Sequence, residues 1–244
     1  MHGSTKIVFL ACCWLVLPVG CAYLPLPHMP APHLPESWTA TAADFDAIAD
    51  RTDEARLQVI IAYGQLVDNH AALRLVSPGH PVLFWDPGGG YNKQSAPRTR
   101  WNDIIIEDPP DLKTYLAFRR THFDTAVEIF EWRITPGQAN RLADVLRYGT
   151  DGSHPAGPFR SETVGLFCSE AISDFLGRFA GDIMTISETY FWPNELAKAL
   201  YTQAPYRVIV FRSTDTPVIY QPPSTAQPVL SPPPASAPSH STRR

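Results

Sequence analysis

The sequence predicts an α+β fold in which helices pack against a largely antiparallel sheet. Short β-branched and aromatic runs cluster in the middle of the chain, amphipathic helical patterns lie after and around them, and a Ser-Pro-Gly-His turn at 77–80 joins two of the runs as a hairpin. The chain has 244 residues, which is enough for one ordinary domain with a sizeable core.

The individual elements follow from local patterns. Apolar or alternating runs bounded by turn residues predict strands at 57–63, 70–76, 82–86, 103–107, 125–134 and 206–211. Helical periodicity predicts helices at 43–56, 111–120, 136–148, from 168 onward and at 194–201. Thr135 supplies an N-cap and Pro136 suits the first helical position, so the third of these helices begins there.

The two ends of the chain differ in composition from its middle. Lys6 followed by the apolar run 7–17, which is too short to span a bilayer by itself, is typical of an export signal. Many of the 25 prolines fall in two end segments, which indicates a semi-rigid spacer and a disordered tail. We therefore expect a signal peptide at 1–20, a proline-rich tether at 21–37, a folded domain at 38–220 and a disordered tail at 221–244.

The signal ends in Leu-Pro-Val-Gly-Cys21, which resembles the lipobox of bacterial lipoproteins. The resemblance implies cleavage before Cys21 and a membrane anchor through lipid on that cysteine. Pro18 stands where the family usually has leucine, and Leu17 comes one position too early. The alternative is an ordinary cleaved signal, with Cys21 removed or free. Ala22 follows the cysteine in place of aspartate, so the resemblance implies an outer-membrane lipoprotein facing the periplasm; the alternative is a secreted periplasmic protein.

Charge and motif content narrow the classes of partner. The net charge of −4 and pI near 6.0 argue against a nucleic-acid partner. The sequence contains no CxxC or HExxH pattern, and the glycine run 88–90 lacks the lysine of a phosphate loop. We therefore expect no metal and no cofactor.

Counting cysteines isolates one candidate nucleophile. Cys12 and Cys13 would leave with the signal, so with Cys21 lipidated the mature domain keeps Cys168 as its single, unpaired thiol. Cys168 opens a predicted helix, where the unpaired N–H groups and the positive helix end favour the nucleophilic thiolate. It also shares an apolar stripe with Ile172, so a buried core cysteine is the alternative.

A nucleophilic cysteine needs a base that is held in one orientation. His70 begins a predicted strand and is followed by two small residues, which leave room for a neighbour to approach. The alternative for His70 is a half-buried structural histidine. The other histidines of the domain fall in a turn, at a helix end and in a loop, at His80, His122 and His154.

Asp86 can orient His70 if the hairpin register is favourable. Pairing Val76 with His80 places Asp86 directly opposite His70 on the same face. A loop one residue longer pairs Asp86 with Ala71 instead and points it away, although a bulge would restore the match. The alternative for Asp86 is a turn residue, because Asp-Pro-Gly is strong turn chemistry.

A histidine at a strand start, a second strand with a polar end and then a cysteine opening a helix form an order that resembles the circularly permuted papain-like group of the NlpC/P60 superfamily. Phe-Cys-Ser-Glu at 167–170 is similar to the Tyr-Cys-Ser-Glu of its YiiX-like branch. The segment 132–138 resembles the strand-then-helix step of that family, and 192–196 resembles a later Pro-x-x-Leu segment. The similarity covers 58–211 and implies Cys168 as nucleophile, His70 as base and a polar third residue, for which Asp86 fits best. The Asp-Pro-Gly-Gly-Gly insertion departs from the family pattern. Glu170 is a rival for the third role, but it points to another helix face than Cys168.

The resemblance implies a cell-envelope thiol hydrolase that cleaves amide or peptide bonds, with peptidoglycan peptides as candidate substrates. One alternative within the same fold is a lipid-directed acyl hydrolase or acyltransferase. Another, of a different class, is a non-catalytic envelope lipoprotein that binds a partner.

Overall fold

The computed structural model describes residues 34–43, 53–64, 69–88, 104–105, 112–123, 126–150, 159, 167–211 and 217–223. Within these ranges the chain forms an α+β arrangement of one antiparallel sheet and four helices. The strands are β1 Thr39–Ala42, β2 Arg56–Tyr63, β3 His70–Val76, β4 Leu83–Trp85, β5 Ile104–Ile105, β6 Ala126–Arg133, β7 Arg207–Phe211 and β8 Val218–Gln221. The helices are α1 Leu112–Phe123, α2 Pro136–Tyr148, α3 Cys168–Phe179 and α4 Pro193–Tyr201.

The sheet runs in the order β1-β8-β7-β6-β2-β3-β4-β5, and all neighbouring strands are antiparallel. Its middle is formed by β2, which pairs with β3 on one side and with β6 on the other. Every residue of β2 and β3 is buried. The predicted antiparallel sheet is therefore confirmed, and the strand predicted at 70–76 has the bounds of β3.

Helices cover both faces of the sheet, which explains why every residue of β2 is buried. Leu57, Val59 and Ile61 point to the larger core cluster, which is completed by residues of α2, α3 and α4. Ile60 and Ala62 alternate with them and point to a smaller cluster that includes α1. The strand start at His70 and the helix start at Cys168 lie on elements of this same packed centre, where α3 packs against β3.

Local chemistry sets the start and end of α2 as predicted. The Thr135 side chain accepts the backbone N–H of Gln138, and the Gln138 side chain accepts the N–H of Thr135, which together form a capping box. The helix ends at Gly149, whose φ of +76° suits glycine and whose N–H donates to the carbonyl of Val145.

Some predicted boundaries need correction. The helix predicted at 43–56 falls largely outside the described residues, but residues 53–55 are not helical and Arg56 already belongs to β2. The edge pair β1 and β8 was not predicted, and β8 continues to Gln221, one residue beyond the predicted domain end. The signal and tether at 1–33, including Cys21, and the tail from 224 onward lie outside the described residues. In the part of the chain that is described, no helix combines the length and apolar character needed to cross a membrane.

Gly177 marks a tight contact between α3 and the segment that follows it. A Cβ added at Gly177 would lie 2.8 Å from the carbonyl oxygen of Ile186. We expect Gly177→Ala to lower the free energy of unfolding by about 1 to 2 kcal/mol, because displacing backbone outweighs the gain in helix propensity. Urea unfolding measures this. Gly181→Ala is the matched control, since its Cβ would meet no atom within 4 Å. Equal stability of the two variants would contradict the close approach.

Candidate active site

Cys168 is the first residue of α3, and its sulfur lies against the start of β3. Phe167 precedes the helix in an extended conformation, and no side chain caps the helix start. The half-buried sulfur accepts the backbone N–H of Ala71 at 3.1 Å. A backbone donor at this distance stabilises a thiolate more than a thiol, as does the positive end of the helix.

His70 is the first residue of β3, and it is 8% exposed. Its Nε2 hydrogen-bonds to Oδ1 of Asp86. The imidazole also hydrogen-bonds to the Cys168 thiol group. Because Nε2 is engaged by the carboxylate, Nδ1 is the nitrogen left to face the sulfur. The structure thus brings the three residues predicted from the sequence into one cluster.

Asp86 reaches His70 through a register that neither predicted hairpin has. Leu73 pairs with Trp85, so Asp86, the residue after β4, is level with Ala72 and lies diagonally from His70. The prediction that Asp86 stands directly opposite His70 is wrong by two residues, and the prediction of a shared face holds because a shift of two residues keeps the face. A diagonal pair is still within reach of longer side chains.

The hairpin loop is two residues longer than in the register that pairs Val76 with His80, and Pro81 accounts for the difference. The turn closes as expected, with the His80 N–H donating to the carbonyl of Ser77 at 3.1 Å and Gly79 at a φ of +77°. Pro81 then has no N–H to give to the ladder, and β4 begins only at Leu83.

The electrostatics of the cluster favour a charged pair. Burial lowers the pKa of His70, but the charges of Cys168 and Asp86 and their hydrogen bonds outweigh it and raise that pKa to about 10. Burial raises the pKa of the Cys168 thiol, while His70 and the Ala71 N–H lower it further than burial raises it, so the net pKa is below the ordinary value. At neutral pH these shifts favour a thiolate beside an imidazolium.

Two serines of α3, which the sequence analysis did not single out, fasten the segment 190–192 to the nucleophile's helix. Ser169 donates through Oγ to the carbonyl of Phe191 at 2.7 Å. Ser173 accepts the N–H of Tyr190 at 2.9 Å and donates to the carbonyl of Ser169. Both serines are buried. The sequence signal for them is two polar residues four apart on the otherwise apolar buried face of the helix.

Three aromatic side chains lie beside the start of α3. The ring of Phe167 is 3.9 Å from that of Phe191 and 6.1 Å from that of Trp192, and the last two rings are 4.8 Å apart. Phe191 is 40% exposed, and the other two are half-buried. We refer to Phe167, Phe191 and Trp192 as the aromatic ridge.

A buried acidic residue on the sheet face covered by α2, α3 and α4 was also not predicted from the sequence. Glu128 of β6 accepts the hydroxyl of Tyr63 at 2.6 Å, and it is 1% exposed. Burial, followed by the charge of Glu128, raises the pKa of Tyr63 well above its ordinary value, so the phenol stays neutral and donates. Tyr63 ends β2, one residue after the partner of His70. Tyr63 and Glu128 therefore form a buried polar pair at the end of the sheet where His70 lies.

Among the other candidates that the structure describes, Glu170 and His80 do not belong to this cluster. Cys168 and Asp86 are the groups that shift the pKa of His70, and Glu170 is not among them. The His80 side chain is exposed in its turn. His154 and the side chain of His122 lie outside the described residues. Within the described ranges, no group of three or more His, Cys, Asp and Glu side chains is arranged to hold a metal ion.

Comparison of the chain with protein-family models, with curated proteins and with solved structures finds no match. The geometry and electrostatics of the cluster formed by Cys168, His70 and Asp86 are therefore the basis for a function.

Proposed function

We propose that the chain is a thiol hydrolase that cleaves amide or peptide bonds. Cys168 is the nucleophile, His70 is the general acid and base, and Asp86 holds the imidazole in position. The observation that carries this proposal is the Cys168–His70 pair at a helix start, with Nε2 of the same imidazole bound to a buried carboxylate. A nucleophile, a base and an orienting group in this order are what acyl transfer by a thiol requires.

The reaction follows from the positions of these groups. The Cys168 thiolate attacks the substrate carbonyl carbon, and backbone N–H groups in the first turn of α3 stabilise the resulting oxyanion. The His70 imidazolium protonates the amine, which leaves as the C–N bond breaks and gives a thioester. His70 then takes a proton from water, and the hydroxide attacks the thioester. The C–S bond breaks, the acid product leaves and His70 keeps the proton taken from water, which restores the thiolate and the imidazolium.

We also propose that the domain belongs to the circularly permuted papain-like group, with peptidoglycan peptides as candidate substrates. The chain order supports this: a histidine begins a strand, an aspartate directly follows its hairpin partner, and a cysteine opens a later helix. The antiparallel sheet on which α3 packs is compatible with that fold.

Brief treatment of native protein with iodoacetamide at pH 6 tests the nucleophile. We expect the peptide that contains Cys168 to be alkylated, because an ordinary thiol with a pKa of about 8.5 is almost wholly protonated at that pH, whereas the pKa of Cys168 is lowered. Mass spectrometry of that peptide separates Cys168 from the cysteines near the N-terminus. Alkylation only after denaturation would mean a core cysteine and would favour a non-catalytic binding protein.

We propose that the protein is a lipid-anchored envelope protein, on the basis of the lipobox-like sequence and the proline-rich tether. Cys21→Ala should move the protein from the membrane fraction to the soluble fraction, because the modified residue is lost. Fractionation of cells followed by immunoblotting measures the partition. Cys13→Ala, which changes a cysteine inside the apolar run, is the control and should leave the partition unchanged. If Cys21→Ala stays in the membrane fraction, the anchor lies elsewhere.

A further inference from the structure

The aromatic ridge exposes apolar surface directly beside the nucleophile. Its first member, Phe167, is the residue before Cys168, and its outermost member, Phe191, is one of two large hydrophobic residues in the described part of the chain that are exposed. The other is Tyr148 at the end of α2. An exposed aromatic surface of this kind commonly marks a place where a ligand or partner binds.

The ridge is also held in a fixed position. The Ser169 hydroxyl binds the carbonyl of Phe191, and Ser173 binds the N–H of Tyr190, so the backbone of this segment is tied to the first turns of α3. A surface that is already ordered loses little conformational entropy when a ligand binds to it. The hydrogen bonds therefore fix the backbone of Tyr190 and Phe191 relative to the helix that begins at Cys168.

The proposed reaction indicates which part of the substrate contacts the aromatic ridge. The leaving amine must lie against His70, because the imidazolium protonates it. Phe167 precedes α3, and Phe191 and Trp192 precede α4, so the ridge adjoins Cys168 through Phe167. Cys168 is the residue to which the acyl group becomes bonded, and the ridge therefore lies beside the acyl part of the substrate.

We propose that the aromatic ridge is an acyl-binding subsite that selects substrates with an apolar group on the carbonyl attacked by Cys168. This inference rests on the proposed function and specifies its substrate class. An apolar side chain and a fatty acyl chain share the recognised chemistry, since either gains free energy by leaving water for contact with the three rings.

Alkylation by a series of N-substituted iodoacetamides tests the subsite without knowledge of the natural substrate. The sulfur displaces iodide from the reagent and forms a C–S bond, while the N-substituent extends from the carbonyl and samples the surface beside Cys168. Rate constants are divided by those of N-acetylcysteine, which removes differences in intrinsic reactivity. From methyl to octyl we expect the normalised rate constant for Cys168 to rise about tenfold or more, since each buried methylene contributes favourably. A benzyl reagent that matches or exceeds octyl would indicate an aromatic side chain as the preferred group, and a steady rise with chain length would indicate an acyl chain.

Phe191→Ala is the decisive variant, because it removes the exposed ring while keeping the backbone carbonyl that Ser169 binds. It should bring the ratio of octyl to methyl rates close to that of N-acetylcysteine. Tyr148→Ala, at the other exposed aromatic residue, should leave both that ratio and the rate with unsubstituted iodoacetamide unchanged.

The outcomes separate the two proposals. A wild-type rate that does not depend on chain length, or a dependence that survives in Phe191→Ala, overturns the subsite and leaves the nucleophile intact. If native Cys168 reacts with none of the reagents, including unsubstituted iodoacetamide, the proposed function and the subsite both fail.

Discussion

Cys168→Ala should lower kcat/KM for hydrolysis of p-nitrophenyl butyrate by about 10³-fold or more, because the group that attacks the carbonyl is lost. His70→Ala should cause a loss of similar size, since the imidazole that keeps Cys168 in the nucleophilic thiolate form is lost. Release of nitrophenol measures both. The variants are compared at equal concentration and after confirmation that each is folded by circular dichroism.

The double variant gives the sharper result. Residues that act as one unit show losses that do not add, so Cys168→Ala combined with His70→Ala should be no slower than the worse single variant. His80→Ala is the matched control, because it removes an exposed imidazole in the hairpin turn. Losses that add, or a comparable loss in His80→Ala, would contradict a shared mechanism for Cys168 and His70.

The centre of the sheet could be predicted because its signals are local and strong. Strand β2 is buried on both faces and therefore carries the unbroken apolar run 59–63, and β3 carries shorter apolar runs on either side of Arg74. Thr135 and Pro136 identify the start of α2 through capping chemistry that involves only neighbouring residues.

The edge of the sheet could not be predicted in the same way. Every residue of β1 is exposed, so its Thr-Ala-Thr-Ala sequence has no alternation of buried and solvent-facing residues to indicate a strand. Its partner β8 lies at the opposite end of the domain, and β8 is only partly buried. Pairing between such segments depends on the assembled sheet.

The residues of the candidate site also differ in how far local sequence signals predict them. Cys168 and His70 stand at the starts of their elements, which local patterns can indicate. The position of Asp86 depends on the hairpin register. The observed register differs by two residues from the one that pairs Val76 with His80, and an even difference keeps Asp86 on the face that it shares with His70. The N–H of Ala71 on the sulfur depends on the docking of α3 against β3, which the sequence alone does not specify.

The pH dependence of amide hydrolysis, in which the leaving amine must be protonated, should follow the coupled pair of Cys168 and His70. The rate should rise at low pH as the thiol ionises below its ordinary pKa, and it should fall near pH 10 as His70 loses the proton that the leaving group needs. Both limbs are properties of the pair, because each group shifts the pKa of the other.

Asp86→Asn should move the alkaline limb of this profile to lower pH. The Asp86 carboxylate raises the pKa of His70 through its charge and its hydrogen bond, so an uncharged amide in its place lets that pKa fall below about 10. Asparagine has nearly the same shape as aspartate, and its Oδ1 can still accept a hydrogen bond from Nε2. We therefore expect folding to be kept and kcat/KM at neutral pH to fall by at least about tenfold, because less of the imidazole is charged and oriented.

The acid limb distinguishes a role through His70 from a general loss of structure. The charge of Asp86 raises the pKa of Cys168 directly, so its removal does not by that route move the acid limb to higher pH. Asp182→Asn is the control, since that carboxylate lies on the surface beside Arg141 and its removal should leave both limbs in place. A profile of Asp86→Asn that keeps its alkaline limb near pH 10 would show that Asp86 does not set the proton affinity of His70, and the orienting role would then have to be assigned to another group.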